Sequence, residues 1–447
     1  MVTSSKDICC IGAGYIGGPT MAVMAYHNPD KNFYVCDINK DRIDAWNSEN
    51  LPIYEPGLDN AVHEVRNKNL FFTSDVKSAV ERCGIIFIGV NTPTKEYGEG
   101  AGFASDLKYW EGAARSVAEY AKGDKIIVEK STLPVKTADA ISRILHINSP
   151  YHFTIISNPE FLAEGTAIRD LQEPDRVLIG GVDHAAIDQV SELYESWVPK
   201  EKIIRTGLWS SELSKLAANA MLAQRVSSIN ALACVCEETG ADVSEVAEVV
   251  GSDSRIGAKF LKAGPGFGGS CFKKDILNLV YLCKSCGLDE PAEYWNHVIK
   301  MNEWQQERII KRLIKKSFGT FANKTVAVLG YAFKANTGDT RETPAKHVID
   351  LLKEEHATIQ VYDPKAGPHA KMEVETESCV VKSTAYEALA NADIAIILTD
   401  WAEFKQLDWM TVYSLMRHQR TIYDTRNCVD AAKLTDLGFD VMRTGLG

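Results

Sequence analysis

Ile8-Cys9-Cys10-Ile11-Gly12-Ala13-Gly14-Tyr15-Ile16-Gly17-Gly18 is a short apolar run entering a G-x-G-x-x-G turn. Helix-forming residues continue from Met21 to Tyr26. A second apolar run, Phe33-Tyr-Val-Cys-Asp37, ends in an acid 20 residues beyond Gly17. A lone G-x-G-x-x-G is a weak signal, but strand, turn, helix, strand and terminal acid in that order form a dinucleotide signature. The glycines let a pyrophosphate approach the helix N-terminus. Asp37 is suited to accept hydrogen bonds from the adenosine ribose and to repel a 2′-phosphate, so NAD is expected in preference to NADP.

Strand–helix alternation continues downstream. Gly84-Ile-Ile-Phe-Ile-Gly-Val90 and Lys125-Ile-Ile-Val-Glu129 read as buried parallel strands. They end in the polar turns Asn91-Thr-Pro-Thr94 and Lys130-Ser-Thr132, and ligands collect at such carboxyl ends. Phe153–Ser157 and Val177–Gly181 extend the sheet. From Ser211 one long helix is expected, without proline or glycine until Gly240, and helical signals persist through 242–251 and 296–317. At Lys324 the first pattern returns. Thr325-Val-Ala-Val-Leu-Gly330 is a strand and turn, 343–355 a helix, and Thr358-Ile-Gln-Val-Tyr-Asp363 a strand ending in an acid; 392–398 and Thr421–Asp424 add strands. The turn after Gly330 lacks the glycine triplet, so this half is expected to take a different phosphate ligand. The fold class is therefore α/β, with two doubly wound Rossmann-like domains joined by a central helical domain. The boundaries are 1–210 for NAD, 211–322 for the helical middle and 323–447 for the second ligand. Long helices in the middle would suit a subunit interface, and a cleft between such domains would suit a substrate.

The chain has 447 residues, 45% hydrophobic and 24% charged, as in a globular protein. A net charge of −11 without a long basic stretch argues against nucleic acid, while leaving room for locally positive pockets. No stretch reaches the ~20 apolar residues of a membrane span, and residues 1–7 do not read as a signal peptide. Eleven cysteines then read as reduced cytosolic thiols, with Cys9, Cys10, Cys36 and Cys234 in the core. Cys283-Lys-Ser-Cys286 has the spacing of half a zinc site but no second pair at a suitable distance, so no metal is expected.

Gly266-Phe-Gly-Gly-Ser-Cys-Phe-Lys-Lys-Asp275 carries the chemistry. Its glycines leave Cys271 approachable, and Ser270 reads as an N-cap. Cys271 would then lie in the first helical turn, where unpaired N–H groups favour a thiolate. Asp275, at i+4, shares its face. A glycine turn before a buried cysteine is the alternative on these residues alone. Nicotinamide plus a thiolate points to acid formation, because a trapped aldehyde can give up a second hydride and become a thioester. Lys215 and Asn219 stand one helical turn apart; for a lysine there, solvent exposure is the simpler reading and a partly buried catalytic cation the other. Glu160 and Glu164 are similarly open, and Arg255, Lys262, Lys334, Arg341 and Arg426 are phosphate candidates.

With AWNSENLPIYEPGL, GVNTPTK, VEKSTLPVKTA, NPEFLAEGTA, SELSKLAANAMLAQR, GFGGSCFKKD and FKANTGDTRETPA in order, the chain resembles the eukaryotic-type members of the UDP-glucose/GDP-mannose dehydrogenase family. The resemblance spans nearly the whole sequence. It implies oxidation of UDP-glucose to UDP-glucuronate with two NAD, in the cytoplasm, by a homo-oligomer of dimers and hexamers. Cys271 would be the nucleophile, Lys215 and Asp275 would handle the proton with Asn219 as an added donor, and Thr132 and Glu160 would orient water. NAD positions implied are Gly12, Gly14, Tyr15, Ile16, Gly17, Asp37, Arg42, Val90, Thr132, Glu164 and Arg341. Those for the UDP-sugar are Glu160, Phe161, Leu162, Ala163, Glu164, Lys215, Asn219, Phe260, Lys262, Phe267, Gly268, Phe333, Lys334 and Arg426, with Arg255 reaching a neighbouring subunit's substrate. The loop Ala263-Gly-Pro-Gly-Phe267 departs from the family, which puts loop-dependent allostery in question. The chain also ends at Gly447, without a long tail. A related dehydrogenase of another nucleotide sugar, and a non-catalytic sensor of NAD or nucleotide sugar, are the competing functions. Retention of Cys271, Lys215 and Asp275 argues against the sensor.

Overall fold

The strand, glycine turn and helix expected from Ile8 onward are present in the computed structural model, which describes residues 6–417 and 419–446. Residues 1–5, part of the segment read for a leader, and Gly447, the expected end, lie outside the described residues. By contacts the chain divides into two compact units, residues 1–218 with 277–289, and residues 219–276 with 290–447.

The first unit is built on eight strands: β1 Asp7–Ile11, β2 Asn32–Cys36, β3 Leu70–Thr73, β4 Ile85–Ile88, β5 Lys125–Glu129, β6 Phe153–Ser157, β7 Val177–Gly180 and β8 Ile203–Thr206. Their order, β3-β2-β1-β4-β5-β6-β7-β8, reverses direction beside β1, which opens a crevice at the carboxyl ends of β1 and β4. Pairing is parallel from β3 through β6; β7 meets β6 antiparallel. Both faces are covered. Ile8, Cys10, Phe33, Val35, Ile85 and Phe87 pack on one side, and Cys9, Ile11, Cys36, Ile86, Ile88 and Ile127 on the other. This two-sided burial explains why these strands read as continuous apolar runs without alternation.

The second unit holds the six-stranded sheet of β9 Thr325–Leu329, β10 Thr358–Tyr362, β11 Cys379–Val381, β12 Ile394–Ile397, β13 Thr421–Asp424 and β14 Asp440–Arg443. The order β11-β10-β9-β12-β13-β14 repeats the doubly wound plan. The likeness reaches the loops. Gly12 N–H donates to Cys36 O at 2.7 Å in the first sheet and Gly330 N–H to Tyr362 O at 2.8 Å in the second. Asp37 accepts from Ala13 N–H, and Asp363 accepts from both Tyr331 and Ala332 N–H.

The expected long helix runs from Leu208 to Thr239, and a second long helix from Asp289 to Lys316, seven residues earlier at its start than the helical signal beginning at Asn296. Cys9, Cys10 and Cys36 are fully buried as expected. Cys234 is a correction: it is half-buried on the long helix, its thiol turned to Asn230 O at 3.2 Å. Among the described residues no helix is long and apolar enough to cross a membrane.

Candidate active site

The glycine turn separates two kinds of glycine. An ideal Cβ at Gly12 (φ +108°) would fall 2.6 Å from Gly89 O, and one at Gly17 1.9 Å from Gly12 O. The chain's own packing therefore demands glycine at both. A Cβ at Gly14 would meet nothing within 4 Å, so glycine there leaves open space before the helix Gly17–His27. That is the room a pyrophosphate needs at a helix N-terminus, and these residues fit a dinucleotide. Ile16 is the N-cap of this helix. Asp37 closes the site with Arg42 Nη1 on its Oδ2 at 3.0 Å. At the ends of the next strands, Ser131 Oγ donates to Val90 O at 2.6 Å and Thr92 Oγ1 to Thr132 O at 3.1 Å. Val90 and Thr132 thus belong to one bonded pair of loops.

After β6 the chain enters the irregular stretch Asn158–Glu164. Glu160 is 8% exposed, and its Oε2 accepts from Lys215 Nζ at 3.2 Å. Lys215 itself is 4% exposed, so the solvent-facing reading of this lysine is corrected. Its helix is lined by alanines that allow close approach, and the ammonium finds an acid and an aromatic face instead of water. The Phe161 ring lies 5.3 Å from Lys215 Nζ and 3.8 Å from the Arg176 guanidinium carbon. Leu162 packs on the core of the first sheet, Ala163 N–H donates to Asp170 Oδ2 at 3.0 Å, and Glu164 is half-buried.

Sequence reasoning missed three ionisable groups in this unit. Lys130 is buried, its Nζ 3.1 Å from both Asn158 Oδ1 and Tyr194 OH. Burial lowers Lys130 to about 8, Glu160 opposing and Lys215 adding to the fall. Glu212, one turn before Lys215, accepts from Lys136 N–H at 2.8 Å and Ala138 N–H at 3.1 Å. Burial lifts it to about 7 against those two amides, and burial together with Glu212 pushes Glu129 well up. Each of the two buried carboxyls is thus pushed toward its neutral, protonated form. A glutamate at the end of a strand and another on a helix give no sequence signal of such a pairing.

In the second unit, Cys271 stands immediately before the helix Phe272–Ser285. Its carbonyl accepts from Asp275 N–H at 2.9 Å, so Cys271 occupies the cap position, one place earlier than the first helical turn expected for it. The residue is exposed, and Ser270 Oγ lies 3.5 Å from its sulfur. Asp275 is 1% exposed and receives Asn219 Nδ2 at 2.6 Å and Lys274 Nζ at 2.7 Å.

The loop leading to Cys271 is stapled by amides that the sequence did not advertise. Asn230 Oδ1 accepts from Gly264 N–H, Gln305 Nε2 donates to Gly264 O, and Asn302 bonds both the N–H and the C=O of Phe267 at 2.7 and 3.0 Å. Gly268 lies under Phe333, where a Cβ would come 2.8 Å from Phe333 Cβ. Arg426 braces the same place, donating to Phe333 O at 2.9 Å and Leu398 O at 2.7 Å. Lys262 pairs with Asp400 at 3.3 Å, and Lys334 lies over the Phe333 ring. Phe260 holds a left-handed backbone (φ +63°) with its ring toward Phe272. Arg341 O accepts from Gly269 N–H at 2.9 Å while its guanidinium grips Asp339. Arg255 is largely exposed and forked onto Asp253.

The chain as a whole is similar to known proteins. The UDP-glucose/GDP-mannose dehydrogenase family models match in order: the NAD binding domain over residues 6–198, the central domain over 209–304 and the UDP binding domain over 327–431. UDP-glucose 6-dehydrogenase 3 of Oryza sativa subsp. japonica is 54% identical, with 98% of this chain and 96% of that protein aligned. UDP-glucose 6-dehydrogenase 1 of Arabidopsis thaliana is 52% identical over the same shares. Among solved structures, a UDP-glucose dehydrogenase from Pyrobaculum islandicum superposes with a TM-score of 0.87 at 30% identity, covering 98% of this chain and 96% of that one. The chain belongs to the UDP-glucose/GDP-mannose dehydrogenase family, with its NAD-binding, central and UDP-binding domains.

Proposed function

We propose that this protein oxidises the C6 hydroxymethyl group of UDP-glucose to the carboxylate of UDP-glucuronate, with Cys271 holding the carbon between two oxidations. NAD, when bound, accepts a hydride in each. In the first oxidation Lys215 and Asp275 handle the hydroxyl proton, and Lys215 with Asn219 stabilises charge on the C6 oxygen. The Cys271 thiolate adds to the aldehyde, forming the S–C bond of a thiohemiacetal whose oxygen takes a proton. Loss of that proton and of the second hydride leaves a thioester. Glu160 and Thr132 orient a water, Glu160 takes its proton, and the C–S bond breaks with the electron pair returning to sulfur. The sum is one alcohol, two NAD and one water giving one carboxylate, two NADH and three protons.

The remaining residues bind. Gly12, Gly14, Tyr15, Ile16, Gly17, Asp37, Arg42, Val90, Thr132, Glu164 and Arg341 are assigned to NAD. Phe161, Leu162, Ala163, Glu164, Phe260, Lys262, Phe267, Gly268, Phe333, Lys334 and Arg426 are assigned to the UDP-sugar, with Glu160, Lys215 and Asn219 at the reacting end. Arg255 serves a neighbouring subunit in a cytoplasmic homo-oligomer of dimers and hexamers. Residues 1–210, 211–322 and 323–447 divide these tasks.

The observation that carries this reading is on one helix. Lys215 and Asn219 stand a turn apart, and each meets a buried carboxylate, Glu160 at 3.2 Å and Asp275 at 2.6 Å. A module that only bound nucleotide would need neither pair. Turnover of a panel of UDP- and GDP-sugars, with product identified by NMR, tests the substrate. UDP-glucuronate should form from UDP-glucose; turnover confined to another sugar would assign the site elsewhere.

A further inference from the structure

The segment Leu51-Pro-Ile-Tyr-Glu-Pro56 connects two helices and has no part in the chemistry above, yet it buries a carboxylate. Glu55 is 2% exposed. Its Oε2 accepts from the phenol of Tyr15 and from Gly165 N–H at 2.9 Å, and its Oε1 accepts from Ala167 N–H at 2.6 Å. The donors come from two separate places. Tyr15 belongs to the G-x-G-x-x-G turn; Gly165 directly follows Glu164 in the loop that bears Glu160, and Ala167 opens the helix that ends that loop.

We propose that Glu55 is a positioning residue that ties the dinucleotide turn to the Glu160–Glu164 loop, so that a ligand settling one of them settles the other. The proposal rests on the function assigned above.

Three further contacts support it. Trp46 Nε1 donates to Ala13 O at 2.9 Å, and a Cβ on Gly18 would strike the Trp46 ring at 2.2 Å, so the chain leading to Glu55 already underlies the glycine turn. Leu51, Ile53 and Leu162 pack on the same core as Ile168, which follows Ala167. Burial, the bond to Glu55 and the nearby Glu55 and Glu164 charges all drive the Tyr15 phenol upward, which keeps it a donor at neutral pH. A carboxylate that only capped the short helix Ala167–Gln172 would satisfy the two amides and would have no need of Tyr15.

The test is thermodynamic coupling in the full chain. NADH affinity is measured by fluorescence with and without saturating UDP-glucose, a pair that cannot turn over. The wild type should show a UDP-glucose-dependent change of about fivefold or more, within the usual range for coupled sites. Tyr15→Phe, which leaves both amide bonds to Glu55 in place, and Glu55→Gln should each reduce it to less than about twofold. The double variant should match either single one, because all three break a single link. Tyr15→Phe with full coupling, or a wild type with none, would overturn the proposal and leave Glu55 as a cap. A separate titration of wild type with UDP-glucose alone tells that result from failure of the substrate assignment, which would appear as no binding at all. Should Glu55→Gln fold poorly, Tyr15→Phe decides alone.

Discussion

Lys215 Nζ lies 3.2 Å from Glu160 Oε2, with both side chains less than a tenth exposed. A pair so placed loses much when broken from one side, because the remaining charge stays buried, at a cost of about 3–5 kcal/mol. Lys215→Met should therefore lower the midpoint of denaturant unfolding and reduce kcat by about 100-fold or more, the loss expected for a general acid–base and oxyanion partner. Glu160→Gln should complete both hydride transfers and stall at the thioester, giving a burst of two NADH per active site followed by little turnover. Stopped-flow absorbance of NADH distinguishes the two variants. A Glu160→Gln enzyme with undiminished steady turnover would remove Glu160 from hydrolysis.

Asn219 gives the buried Asp275 carboxylate its 2.6 Å amide donor. Asn219→Ala takes that donor away and should cost about 1–3 kcal/mol of stability. Initial rates should fall together with it, chiefly in kcat, since the carboxylate is left less well placed for proton transfer. Full rates in a folded Asn219→Ala protein would limit Asn219 to a structural part.

Gly14 and Gly17 differ in what surrounds them, so alanine should act differently at each. Gly17→Ala places a methyl 1.9 Å from Gly12 O and should lower both the melting temperature and NAD affinity. Gly14→Ala meets no atom of the chain within 4 Å, so it should leave the melting temperature nearly unchanged while weakening NAD by about tenfold. Calorimetry and NADH titration on the two variants check this; equal loss of stability would contradict the open space assigned at Gly14.

The Glu129–Glu212 pair makes stability depend on pH. Glu212 is lifted from 4.5 to about 7 in the folded chain. Between those values the folded state holds a proton that the unfolded state has released. The stabilisation is thus full below about pH 4.5 and is lost as pH rises through about 7. Glu212→Gln should flatten the fall in stability over this window, where one proton contributes at most about 1.4 kcal/mol per pH unit. Matching slopes for wild type and variant, by urea unfolding at several pH values, would show that Glu212 does not hold its proton over this window.

Much of this architecture was legible because it is local. β1, the glycine turn and β2 announce themselves in residues 8–37, and the return of the pattern at Lys324 marks the second sheet. The edge strands β3, β8, β11 and β14 are only three or four residues long and partly exposed, so their apolar stretches, such as Leu70-Phe71-Phe72, are too short to mark them as strands. Site geometry was harder to read. The residues around Lys215 leave it open between a solvent-facing and a partly buried cation, and only the distant Glu160 explains its burial. Asn230, Asn302 and Gln305, which fix the loop before Cys271, are ordinary amides until the fold brings helix and loop together. Cys271 itself was misplaced by one residue, since capping depends on where the first helical bond closes.

The central claim is that one carbon is oxidised twice while held on Cys271. Counting NADH formed against UDP-glucose consumed, in a reaction run to completion with NAD in excess, tests it most directly. The account requires two NADH per UDP-glucose, with no aldehyde released and no net acid from Cys271→Ser. One NADH per UDP-glucose, with a free aldehyde as product, would contradict it.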